Sequence, residues 1–110
     1  MQMNPEREII PEVETLTSGA KITRYGKIRI LIIEGKEPLS AGVLDTLSVK
    51  DRPSSAVRNV IGTYLPFRLG LCTIGTNGTI NVQYSTTYGG SFENVPTGTY
   101  VYGEVIWAVS

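Results

Sequence analysis

Two scarcities decide what chemistry this 110-residue chain can do: it has no histidine, and Cys72 is its only cysteine. Without histidine it lacks the commonest general base and the commonest metal ligand, which removes triad hydrolysis and most zinc chemistry. A single thiol cannot close an intrachain disulfide or join a thiolate cluster. Its neighbours Leu69, Gly70, Leu71, Thr73 and Ile74 predict a buried, inert side chain. The carboxylates after the first nineteen residues are Glu34, Glu37, Asp45, Asp51, Glu93 and Glu104, scattered among strands and turns. A glycosidase needs two of them facing one cleft, and the spacing does not suggest such a pair. No glycine-rich phosphate loop and no Asp and Asn series for calcium is present. The residues therefore predict a non-enzymatic protein with no cofactor and no metal.

Binding chemistry has better candidates. Carbohydrate sites in β proteins set an aromatic face against the apolar side of a sugar ring and surround it with amides and carboxylates. The stretch from Ser85 to Asn94 offers Tyr88, Ser91, Glu93 and Asn94 in a loop loosened by Gly89 and Gly90. These four are the predicted ligand-binding residues. The alternative is a plain surface loop with Tyr88 packed on its own backbone. Trp107 would suit a sugar platform, but it shares parity with Val101, Val105 and Val109, which makes it a core residue. Tyr84 is expected to face the core as well. Asp51 and Arg52 can pair or meet a polar ligand, although beside Pro53 such residues more often fix a turn.

The elements that position these residues read as short strands cut by glycine, proline and asparagine. Residues 1–19 form an arm, and residues 20–110 form one domain, since a chain of this length supports a single core. Strands are expected over Lys21–Tyr25, Lys27–Glu34, Val43–Lys50, Arg58–Leu65, Phe67–Ile74, Thr79–Tyr84 and Tyr100–Val109, with a short one near Phe92. The pair Asn77-Gly78 marks a hairpin, because both residues tolerate positive φ. The last strand is apolar enough to be central. The expected core is Ile28, Ile30, Ile32, Leu69, Leu71, Ile80, Val82, Val101, Val105 and Trp107. On that parity Leu31 and Ile33 face away, towards either a partner or a covering loop. No internal helix is expected, so the fold class is all-β: a single antiparallel β-sandwich, jelly-roll-like, with a short N-terminal arm.

Ten basic residues balance ten acidic ones, which leaves no electrostatic footprint for nucleic acid. The arm holds Glu6, Glu8, Glu12 and Glu14 against Arg7 alone, while the body is mildly basic. No apolar run reaches the length of a membrane span, and no signal peptide is visible. The chain is expected to be made in a cytoplasm.

From Ile22 to the end the chain resembles the C-terminal head domains of bacteriophage and prophage tail fibres and baseplate receptor-binding proteins. The likeness spans about four fifths of the chain and lies in the order of four segments. They are Ile22-Thr23-Arg24-Tyr25-Gly26-Lys27-Ile28-Arg29-Ile30, the Arg-Pro step in Asp51-Arg52-Pro53-Ser54-Ser55, Leu69 to Ile74 with Asn77-Gly78-Thr79-Ile80, and Gly98-Thr99-Tyr100-Val101-Tyr102-Gly103-Glu104. The resemblance implies a compact β-sandwich head in a virion tail, assembled as a homotrimer beside other tail proteins and recognising a saccharide or protein receptor on a bacterial surface. Where such fibres carry a long shaft, this chain has a short arm, so it is either an excised head or a small accessory subunit. Two other readings stay open: a structural tail-assembly protein without receptor contact, and an envelope-degrading enzyme domain.

Overall fold

The computed structural model describes residues 10–66, 68–86 and 90–110. Among the described residues the regular structure is nine strands and one 3₁₀ turn: β1 (Glu12–Thr15), β2 (Lys21–Tyr25), β3 (Ile28–Lys36), β4 (Val43–Thr46), β5 (Val57–Thr63), β6 (Gly70–Ile74), β7 (Thr79–Ser85), β8 (Phe92–Asn94) and β9 (Val101–Ala108), with the turn at Val49–Asp51. Every pairing is antiparallel. The order is β1-β2-β3-β9-β5-β6-β7-β4, and β8 joins β7 beyond the end of β4. The fold is the expected all-β, sandwich-like one.

The path folds at β5. Val57 to Ile61 pair with β6, whereas only Gly62 and Thr63 pair with β9. Strands that switch between sheets in this way form the corners of sandwiches. One half is then β1-β2-β3-β9 and the other β4 to β8, and both feed a single core. Ile22, Leu31, Ile33, Val101, Val105 and Trp107 come from the first half, and Leu44, Ile61, Cys72, Ile74, Ile80 and Val82 from the second. At the predicted hairpin the amide of Gly75 donates to the Thr79 carbonyl at 3.0 Å, and Gly78 takes φ +89°, which a side chain would resist. As expected, β9 is central, between β3 and β5.

Two strands face the opposite way from the prediction. In β3 the buried side chains are Arg29, Leu31 and Ile33, while Ile28, Ile30 and Ile32 lie on the outer face. In β6 the buried ones are Gly70, Cys72 and Ile74; Leu71 is half-buried, and Leu69, just before the strand, is exposed. Period-two alternation does not choose a face when both faces are apolar. Ile80, Val82, Val101, Val105 and Trp107 are buried as expected. With Leu31 and Ile33 in the core, they no longer argue for a partner surface. The arm also differs from a plain extension, because residues 12–15 are the edge strand β1 and Leu16 packs against the core.

The choice of face on β3 is made by charge. The 3₁₀ turn carries Asp51 into the interior, where its side chain is 1% exposed. Its carboxylate accepts from Arg24 Nε at 2.8 Å and from the same guanidinium's second nitrogen at 2.9 Å, from Arg29 Nε at 2.7 Å and from Ser48 Oγ at 3.0 Å. Arg24 also pairs with Glu14 of β1, and Arg29 donates to the carbonyls of Gly26 and Ile28. Trp107 Nε1 donates to the Asp51 carbonyl at 2.8 Å. Among the described residues, every buried side-chain nitrogen and oxygen has a partner.

Candidate functional site

The predicted ligand loop is only partly brought together. Tyr88 lies outside the described residues. Ser91 is exposed, and its carbonyl accepts from both the amide and the hydroxyl of Thr86. Glu93 and Asn94 are adjacent on β8, opposite Tyr84 and Gln83. Alternation along a strand sends their side chains to opposite faces, so they do not converge on one ligand. Asn94 closes over Gly42 and accepts from Gln83 at 3.4 Å. Trp107 is 5% exposed and belongs to the core, as expected. Tyr84 is half-buried against it.

Asp51 and Arg52 do not pair with each other. Asp51 is consumed by the two arginines, and Arg52 donates to the Leu47 carbonyl, bracing the hairpin at Gly78. Burial alone would raise the Asp51 carboxyl, but hydrogen bonds from Arg24, Arg29 and Ser48 outweigh it and hold the group at about 2. The bonds that Arg24 donates to Asp51 and Glu14 push its guanidinium well above its ordinary value. This is a structural ion network, closed to ligand. Cys72 is likewise inert, its thiol pushed up to about 12 by burial.

The aromatic surface that the loop was expected to offer stands instead at the corner where β5 meets β9. Tyr64 leaves the end of β5, Tyr100 precedes β9 and Tyr102 lies within it; they are 61%, 42% and 46% exposed. The ring centroids of Tyr64 and Tyr100 are 5.9 Å apart at 84°, and those of Tyr64 and Tyr102 are 5.5 Å apart at 53°. Such edge and tilted contacts are favourable on their own. The backbone amide of Tyr64 donates to the Tyr100 carbonyl at 3.1 Å, which ties the two segments. Tyr102 rests on Gly62, where any Cβ would overlap the ring. Glu34 is the register partner of Tyr102 on β3, and opposed residues share a face, so a carboxylate flanks the platform.

Beside the platform the two halves of the sandwich part along a seam. Between β5 and β9 lies an open groove of about 340 Å³, lined by Val57, Arg58, Asn59, Glu104, Val105 and Ile106. Asn59 Nδ2 bridges it by donating to the Glu104 carbonyl. An aromatic platform whose Tyr102 lies two residues along β9 from a groove lined by Arg58, Asn59 and Glu104 has the parts needed to stack a ring and to bond hydroxyls. Sequence reasoning missed it, although one signal was present. Tyr100 and Tyr102 share the outward parity of a strand whose other parity is Val101, Val105 and Trp107. Tyr64 joins them only because the chain folds back.

Among the described residues, no group of three or more Cys, Asp or Glu side chains is placed to hold a metal ion, and no helix is long and apolar enough to cross a membrane. Comparison of the chain with protein-family models and with curated proteins finds no match.

Proposed function

We propose that the chain is a binding domain that takes a saccharide on the Tyr64, Tyr100 and Tyr102 platform, with the hydroxyls directed to Arg58, Asn59 and Glu104. The observation that carries the reading is the cluster itself: Tyr64 in contact with both Tyr100 and Tyr102, each of the three more than two fifths exposed, with Tyr102 resting on Gly62. Tyrosine offers rigid amphipathic area at low entropic cost, which makes it a favoured recognition residue. The resemblance to phage tail heads sets the context, a receptor-binding head docking on a bacterial surface glycan or protein.

A glycan array and binding to intact bacterial cells test the proposal. Replacing Tyr64 and Tyr102 by alanine should abolish binding, with circular dichroism confirming that the fold is kept. If Glu93→Ala removes binding and the tyrosine variants bind normally, the site returns to the Ser85–Asn94 loop. A chain that binds no cell surface yet captures another tail protein is an assembly component, and the receptor reading fails.

A further inference from the structure

We infer that the outer face of β2, β3 and β9 is a self-complementary interface on which a second copy of this chain docks about a two-fold axis running along β3. The register places three rows across this face. Tyr25, Ile28 and Ala108 form the first, Thr23, Ile30 and Ile106 the second, and Lys21, Ile32 and Glu104 the third. Side chains directly opposite one another share a face. Ile28, Ile106 and Tyr25 are 40%, 58% and 46% exposed, and Val13 of β1, beside Thr23, is 62% exposed. A contiguous apolar sheet face of this kind marks a contact surface rather than ordinary solvent exposure.

The occupant follows from what each row holds at its two ends. A two-fold axis parallel to the strands and above β3 lays β2 of one copy over β9 of the other, at the same height along the strands. Ile28, Ile30 and Ile32 then meet their own counterparts. At the row ends the large Tyr25 meets the small Ala108, the small Thr23 meets the large Ile106, and the cation Lys21 meets the carboxylate Glu104. Each match occurs twice by symmetry. Among the described residues neither Lys21 nor Glu104 is in an ion pair within its own chain. An axis across the strands through the Ile30 row would instead set Lys21 over Tyr25 and Glu104 over Ala108, burying both charges against apolar groups. Only the axis along β3 satisfies all three rows.

Three strands about 4.8 Å apart and five residues at about 3.3 Å each give a face on the order of 240 Å² in projection. That is small beside a standard interface of roughly 800 Å² per partner, so the dimer should be reversible. The same axis buries Glu104 and Ile106, which also line the groove beside the tyrosine platform. On the reading that this groove binds saccharide, dimer formation and ligand compete for these residues.

Sedimentation equilibrium over a range of concentrations tests the interface directly, independently of any ligand. The wild-type chain of 12.0 kDa should approach twice that mass as concentration rises. Lys21→Glu alone sets carboxylates against carboxylates and Glu104→Lys alone sets cations against cations, so each should weaken self-association at least ~10-fold. Mixing the two single variants should restore a dimer containing one copy of each, and the double variant K21E/E104K should pair with itself. Circular dichroism of each variant confirms that both exposed sites leave the fold intact. A monomer at every concentration, a mass of three chains, or a dimer indifferent to these reversals would overturn the inference. Saccharide binding by a strictly monomeric chain would sink the interface while leaving the proposed function standing.

Discussion

Replacing Asp51 by asparagine keeps the shape of the side chain and removes its charge, and the surroundings set the size of the effect. The wild-type carboxylate answers two guanidiniums whose side chains are only 9–10% exposed. Deleting one member of a buried ionic cluster costs about 3–5 kcal/mol, because the remaining charges stay desolvated. Here the loss should lie near the lower end, about 3 kcal/mol, since Arg24 keeps Glu14 and Arg29 keeps the carbonyls of Gly26 and Ile28. Urea denaturation followed by fluorescence of Trp107, the only tryptophan, reads this out. With a slope of about 1–3 kcal/mol per molar urea, the midpoint should fall by roughly 1–3 M at unchanged slope. Acid supplies an independent check. A carboxylate held at about 2 instead of its ordinary 3.8 contributes stability that is full above pH 4 and disappears as pH falls towards 2. The gap between wild type and Asp51→Asn should therefore narrow by about 2 kcal/mol across that window. A loss below ~1 kcal/mol at neutral pH, or a gap that does not change with acid, would refute the account of Asp51 as the charge organising β2 and β3.

Other parts of the fold give further outcomes. Trp107→Ala should cost about 3–5 kcal/mol in the same denaturation assay, read by circular dichroism, while Trp107→Phe, which keeps most of the packing and loses the bond to the Asp51 carbonyl, should cost clearly less. Gly62→Ala should displace the Tyr102 ring, lowering stability by ~1–3 kcal/mol and weakening saccharide binding together, as equilibrium unfolding and glycan titration would show. Cys72 should resist a thiol reagent in the native state and react at once in denaturant; rapid native labelling would mean that the β6 register is wrong.

Much of the architecture was legible because it rests on local chemistry. The Asn77-Gly78 turn, the breaks around Pro53, the absence of α-helices among the described residues and the inward side of β7 and β9 follow from residues whose φ preferences or clean alternation leave one solution. The scarcity of histidine and cysteine bounded the chemistry just as directly. β3 was different in kind. Ile28, Ile30 and Ile32 on one parity and Leu31 and Ile33 on the other are equally apolar, and Arg29 argued locally for the exposed side. Only the tertiary structure resolved it, by burying Asp51 from a turn some twenty residues away and thereby drawing Arg24 and Arg29 inwards with Ile22, Leu31 and Ile33. The tyrosine platform has the same origin: Tyr64 and Tyr102 lie 38 positions apart, and no local period records that β5 leaves its sheet at Gly62 to meet β9. Alternation along a strand is a local property that a sequence carries; the face that wins when both are apolar, and the residues that meet where sheets cross, depend on contacts between distant segments.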